Sequence, residues 1–388
     1  MLKEKLELVL NYAPICDACL GRQFAKLLTK TTNEQRGSAL RMNYAMYIDS
    51  IAPKSISDNL SINISGFSLK NATFSKADKP KKVFKCRICS NLFDKKNQEK
   101  LVERIKYSIH GIDFDTFSMG MRLSDELLRE EESLWEEAGI DFCEGIKTHL
   151  NRNIGSMLRH SLKKKVDLGD PTLAILMDFS TGQIITKTKP IYIKGYCSKY
   201  EKMPVLKQFC HNCYGLGCKS CKYMGKSQKS VQEIIERHIL VKTLGIESRF
   251  HTTGFEPADF LFSGKRPFVI EIKNPKKRAF DLKKIEALTN KNSEIKIAGL
   301  KFVEKEDMIK LKSSKFSRTY KIKITLKAPQ MSSKIKQILK GKKIKVLKEK
   351  TAGRKMELKT QGYARELNDE ELIENMSVDI VEFKLKKA

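Results

Sequence analysis

Ten cysteines stand in this 388-residue chain, and eight of them form four Cys-x-x-Cys pairs: Cys16/Cys19, Cys86/Cys89, Cys210/Cys213 and Cys218/Cys221. Cys143 and Cys197 stand alone. Pairs at this spacing, taken two at a time, supply the four thiolates of a tetrahedral zinc ion in a reducing compartment. The sharpest case is CHNCYGLGCKSC, a C-x2-C-x4-C-x2-C knuckle at 210–227 with Gly215, Gly217 and Gly225 at its turns. All four ligands there are sulfur, so the expected ion is structural and leaves no open coordination position. A second chemistry-bearing stretch is RFHTTGFEPADFLFSGKRPFVIEI, Arg249 to Ile272. Glu256, Asp259 and Glu271 meet Lys265, Arg266 and Lys273 in a segment whose other residues are apolar. The chain is expected to turn at Gly254, break at Gly264 and enter the alternating strand PFVIEI. Charges gathered at a turn between buried strands mark a site, and equally suit a solvated hairpin.

The elements that position these groups read as follows. Leu2 to Leu10 has helical spacing that ends at Pro14. Two further helices are expected around Phe24–Leu28 and Leu40–Ala45, followed by a polar, loosely structured insertion at 50–82 and a helix near Asn97. FDTFSMGMRL reads as a strand. Next comes an acidic helix capped at Ser124 with Leu127, Leu128, Leu134 and Trp135 on one face. Trp135 is expected in the core. GIKTHLNRNIGSMLRHSLKKK is a basic amphipathic helix, and PTLAILMDF and QIITKTKPIYIKG read as two strands. A helix capped at Ser230 leads into the Arg249–Ile272 stretch, and RTYKIKITLKAP alternates as a half-exposed strand. The tail carries strand-like pieces around a short helix capped at Asn368.

Composition sets the partner. Lys+Arg of 75 against Asp+Glu of 46 leaves +29, an excess that attracts polyanions, nucleic acid first among them. The lysines are spread along the chain instead of lining one amphipathic helix, which argues against a membrane surface. No apolar run reaches ~18 residues, and MLKEKLELVLNYAPICDACL is unlike a signal peptide. A soluble, cytoplasmic, RNA- or DNA-facing protein is expected. Gly225-Lys226-Ser227 ends like a phosphate-binding loop, but Ser220 stands where the upstream glycine is needed, and no Gly-x-Gly-x-x-Gly is present.

The Arg249–Ile272 stretch resembles the catalytic loop of the archaeal tRNA T-loop pseudouridine synthases, the Pus-ten family, whose pattern is Gly-Arg-Glu-Asp-x-Asp followed by Gly-Arg-Pro-Phe-Val-x-Glu-Ile. Gly254, Glu256, Asp259, Gly264, Arg266, Pro267, Phe268, Val269, Glu271 and Ile272 match it. Phe255 stands in place of the family's arginine and Pro257 in place of its nucleophilic aspartate. CDACLGRQFA and NEQRG resemble the family's opening, and the 113–195 segment, with its basic helix and VDLGDPTLAILMDF, resembles a THUMP domain. The resemblance implies an α+β multidomain fold: a zinc-tethered, THUMP-like N-terminal half and a pseudouridine-synthase-like sheet domain. The expected divisions are a helical zinc-binding unit at 1–112, the THUMP-like domain at 113–195 and the synthase-like domain at 196–388. Tyr320 resembles the family's active-site tyrosine, and Tyr363 in TQGYAREL its second tyrosine; the Gly-Asp-Glu-Gly-Arg-Thr loop that should follow is absent. Tyr320, Tyr363 and Arg266 are thus the expected substrate-binding residues, Asp259 the remaining catalytic carboxylate, and Lys163, Lys164 and Lys165 candidates for phosphate contact. Zinc, at one or two structural sites, no organic cofactor, tRNA as partner and a monomeric chain complete the expectation. Two readings stay open: a synthase with a rebuilt nucleophile loop, or a catalytically silent relative that grips tRNA.

Overall fold

The computed structural model describes residues 2–51, 57–66, 85–226, 228–253, 261–314, 316–326 and 376–387, with backbone alone for 65–66, 263, 316–326 and 376–387. It divides into two compact units, Met1–Lys189 and Pro190–Ala388.

The first unit opens with helix α1 (Leu2–Tyr12), which Pro14 follows, then α2 (Asp17–Arg22), α3 (Asn33–Ile51), α4 (Asp58–Gly66) and α5 (Lys95–Ser108). Two expectations change here. Phe24–Leu28 is a series of turns and not a helix, with three-residue bonds from Phe24 N to Gly21 O and from Leu27 N to Phe24 O. The expected insertion contains α4, held by Asn63: its side chain donates to Leu10 O and Ala13 O and accepts from Ile15 N. A buried asparagine that satisfies three backbone groups fixes a segment whose composition looks loose. Strand β1 (Thr116–Arg122), helices α6 (Asp125–Ala138) and α7 (Ile146–Leu162), and strands β2 (Lys165–Val166), β3 (Leu173–Asp178) and β4 (Ile184–Thr188) complete the unit. Their sheet runs β2-β1-β3-β4, with β1 parallel to β2 and β3 and β4 antiparallel to β3. As the sequence indicates, Ser124 caps α6 by accepting from Leu127 N. One hydrophobic core runs from Leu6 and Cys19 through Phe117 and Leu134 to Met177, so the cysteine-bearing helices and the THUMP-like sheet are packed together.

Pro190 divides what reads as one strand in QIITKTKPIYIKG. Residues before it form β4, and β5 (Ile191–Lys199) belongs to the second unit. That unit continues with α8 (Val231–Thr243), β6 (Glu247–Thr252), β7 (Phe262–Lys273), α9 (Leu282–Thr289), β8 (Ile295–Val303), α10 (Lys305–Ser313), β9 (Phe316–Leu326) and β10 (Met376–Lys387). Its sheet is antiparallel throughout, in the order β6-β7-β5-β8. β9 and β10 pair antiparallel as a separate ribbon, with β10 beside β7. The period-two alternation of β7 sends Phe268, Ile270 and Ile272 to a core with α8 and α9, and Val269 to the other face against Met308 and Leu311 of α10. Gly264, expected as a break, lies inside β7. Among the described residues, no helix is long and apolar enough to cross a membrane.

Candidate active site and cysteine clusters

The hairpin β6–β7 positions the first candidate site. Register runs from Glu247 opposite Lys273 to Thr252 opposite Phe268. Residues 254–260, which include Asp259, lie outside the described residues, as does Tyr363. Tyr320 is described by its backbone, opposite Phe383 in the β9–β10 ribbon.

Arg266 is placed in full. Its side chain is 1% exposed and points to the α8 side of the sheet. Nε donates to Thr252 Oγ1 at 2.9 Å and Nη2 to Thr253 O at 2.6 Å, while the guanidinium lies 5.3 Å from the Phe262 ring. Thr252 Oγ1 in turn donates to Pro267 O at 3.0 Å. The last residues before the loop and the first after it are therefore bound to one buried cation. Lys199, also 1% exposed and opposite Phe262 in β5, adds a second: its Nζ donates to Met203 O at 2.7 Å and sits 5.7 Å from the same ring. Two buried positive charges at the foot of the loop create a field that favours carboxylates nearby. Sequence reasoning missed Lys199, Thr252 and Thr253, because only register and burial bring them to Arg266.

The opposite face of the same strands carries polar groups. His251 Nε2 lies 3.0 Å from Glu271 Oε2, and Glu271 stands opposite Tyr192 of β5 and Arg249 of β6. Burial, with help from Glu271, Glu306 and Glu304, raises the Tyr192 phenol above its ordinary value. The alternation of PFVIEI is the signal that Glu271 faces away from Ile270 and Ile272. Gly195 lets this sheet close up, since a Cβ there would meet Leu300 Cδ2 at 2.7 Å and the Phe268 ring at 3.0 Å.

The cysteines come together as two fours, Cys16/Cys19/Cys86/Cys89 and Cys210/Cys213/Cys218/Cys221, with the sulfurs of each within 4.8 Å of one another. In the first, Cys16 ends the loop before α2, Cys19 lies within α2, and Cys86 and Cys89 lie on the turn before α5. Cys16 and Cys89 sulfurs are 3.7 Å apart, and Cys16 N donates to Cys86 Sγ at 3.3 Å. Thiols of Cys16, Cys19 and Cys89 donating to Cys86 hold it well below the usual thiol range. In the second, sulfur pairs Cys210/Cys218 and Cys213/Cys221 are each 3.8 Å apart. Gly217 N donates to Cys213 Sγ, and Gly225 N to Cys221 Sγ, both at 3.2 Å. Amides of Cys218 and Gly225 bring the Cys221 thiol down to about 6. Four sulfurs around zinc at about 2.3 Å stand about 3.8 Å from one another, so both clusters fit a tetrahedral metal.

On the first unit, Lys163 takes the left-handed position that ends α7, and Lys163 and Lys165 are exposed. Lys164 is half committed, 3.9 Å from Asp115 Oδ1 and 5.7 Å from the Phe114 ring.

Sequence comparison reads both units together. Residues 192–378 match the family described as Pus10, C-terminal, and residues 101–178 the archaeal Pus10 THUMP domain. The tRNA pseudouridine synthase Pus10 of Methanocaldococcus jannaschii is 31% identical over 322 residues, covering 81% of this chain and 70% of that protein. The Methanopyrus kandleri protein of the same name is 29% identical over 350 residues, covering 87% and 78%. That of Methanothermobacter marburgensis is 28% identical over 359 residues, covering 90% and 80%. With matches that run through both units at these lengths and identities, the chain belongs to the archaeal Pus10 family, THUMP domain included.

Proposed function

We propose that the chain binds tRNA and isomerises a T-loop uridine to pseudouridine, with Asp259 as nucleophile, Tyr320 and Tyr363 against the flipped base, and zinc in both cysteine clusters. The reaction breaks a C–N glycosidic bond, turns the uracil and rejoins it through a ring carbon. That carbon loses its hydrogen as a proton, and the freed ring nitrogen gains one. Nothing is consumed, so the chemistry rests on a placed carboxylate and a base taken out of its stack. The observation that carries this reading is the foot of the 254–260 loop, where Arg266 binds Thr252 and Thr253 and stacks on Phe262. A loop anchored on a rigid hairpin by a buried guanidinium is the support that a catalytic carboxylate needs. Because Arg266 is buried, its proposed part is to position the loop. Zinc, when bound, would hold each pair of cysteine turns together, which is structural work.

Pro257 favours a second reading. It stands where the family carries its nucleophile, and Asp259 lies two residues further, ~6–7 Å along an extended chain. An error of ~1 Å in catalytic placement costs about 100-fold, so an unrebuilt loop leaves a protein that grips tRNA without turnover. Tritium release from unmodified tRNA labelled at the uracil ring carbon separates the two. Release by the native chain that disappears in Asp259→Ala, with tRNA binding kept, is the expected result. Binding without release overturns the isomerase and leaves the gripping protein; release gained by Pro257→Asp then identifies what was lost. Absence of tRNA binding overturns both.

A further inference from the structure

The knuckle at 210–227 holds its cysteines inward and its largest side chains outward. Tyr214 is 84% exposed, Tyr223 71% and Leu216 94%, with Phe209 and Met224 also exposed. These residues sit on loop tips that abut: a Cβ at Gly225 would lie 2.4 Å from Gly215 O, one at Gly217 2.9 Å from Tyr223 O, and one at Gly215 3.1 Å from the Phe209 ring. Tyr214 (φ 49°) and Tyr223 (φ 61°) both take the left-handed conformation, which bulky side chains seldom adopt. Glycine or asparagine would serve these turns better, and neither tyrosine gains burial in return. Folding therefore gives no reason for aromatic rings here.

Charge supplies one. From Lys202 to Gln232 the chain has six lysines and no carboxylate. Lys207, Lys226 and Lys229 are paired with Glu236, Glu233 and Glu294, while Lys219 and Lys222 are exposed on the knuckle and Lys202 is exposed before it. Exposed rings among lysines, on a small rigid turn, match what unpaired nucleotides require: a face for each base and a cation for each phosphate. A protein partner with an apolar surface would find less use for the lysines, and folded duplex would offer no bases to the rings. We infer that the knuckle is a second RNA-binding element, in which Tyr214 and Tyr223 stack on unpaired bases and Lys219 and Lys222 hold the adjoining phosphates. The inference rests on the RNA-binding reading above and adds to it a preference for single-stranded nucleotides at the knuckle.

The test uses the full chain and a fluorescein-labelled oligouridylate, followed by anisotropy over a salt series, with unmodified tRNA in parallel. Tyr214→Ala combined with Tyr223→Ala should weaken oligouridylate binding about five-fold or more, as loss of base stacking does, without changing the slope against salt. Tyr214→Phe with Tyr223→Phe should keep the native affinity, because the ring is retained. Lys219→Ala with Lys222→Ala should instead flatten the salt slope. Oligouridylate affinity unchanged by the double alanine variant overturns the inference, and if tRNA still binds, the tRNA reading stands without it. A double alanine variant that alters self-association but not RNA affinity overturns it in favour of a contact between copies.

Discussion

Burying the Arg266 guanidinium takes a charge out of water, and this costs several kcal/mol unless its hydrogen bonds are replaced. Its planar fork reaches two acceptors at once, Thr252 Oγ1 and Thr253 O, while its flat face meets Phe262. A lysine brings one ammonium with no face to stack, so it cannot hold both ends of the loop. Arg266→Lys is therefore expected to destabilise the hairpin by about 1–3 kcal/mol. Hydrogen exchange checks this directly: amides of Glu247–Thr252 should lose protection while those of α6 and α7 keep theirs. Protection unchanged in β6 would show that Arg266 does not anchor the loop. At this scale the sequence was most legible where chemistry is local. Ser124 and Ser230 announce their helices because a cap bonds two or three residues away, and Ser230 with Glu233 indeed closes a capping box. In the sequence Arg266 stands out by its match to a family motif, which implies contact with substrate. Its bonds to residues thirteen and fourteen positions earlier depend on register, which no local pattern carries.

Helices α2 and α3 cross so closely that a Cβ on Gly21 would lie 1.8 Å from Asn33 O, and one on Gly37 1.9 Å from Asp17 O. This crossing builds the Cys16/Cys19 side of the first cluster into the core, where Cys19, Cys86 and Cys89 are fully buried. Cys16 alone is partly exposed in that cluster, whereas the knuckle leaves both Cys213 and Cys218 partly exposed. If zinc fills both clusters as proposed, it should leave in two phases under a mercurial titrant with a metallochromic indicator: a fast one from 210–221, then a slow one from 16–89. Cys213→Ser should remove the fast phase alone. A single phase, or a fast phase that survives Cys213→Ser, would contradict this assignment. Cys-x-x-Cys spacing made both clusters readable, since it is nearly independent of the fold around it. The elements that failed to read did so for tertiary reasons. Phe24 and Leu27 have helical spacing but turn because Arg22 ends α2 against the close approach of α3. The polar stretch after Ile51 contains a helix because Asn63, and Arg41 donating to Asn63 O at 2.5 Å and Ile15 O at 2.7 Å, satisfy buried backbone. Strand periodicity runs unbroken through Pro190, yet the chain changes units there.

A chain of +29 meets any polyanion before it meets a particular base, so charge governs how fast and how tightly RNA arrives, and local geometry governs where it is read. Neutralising phosphates releases counterions, and affinity then falls with salt by a slope of about 0.7 to 0.9 per contact. The lysine run after α7 lets this be apportioned. Lys163 and Lys165 are exposed, whereas Lys164 already divides its charge between Asp115 and the Phe114 ring. If the THUMP-like unit grips the tRNA backbone, Lys163→Ala and Lys165→Ala should each reduce the salt slope by roughly 1, and Lys164→Ala by less. The three losses should be the same for tRNAs of different sequence, because a phosphate contact carries no base information. Equal losses at all three positions would mean that the run acts only through net charge. No change at any of them would place the grip of the first unit elsewhere on its surface. The ordering among three adjacent lysines is the informative result, since composition makes them identical and only the packing around Phe114 and Asp115 tells them apart.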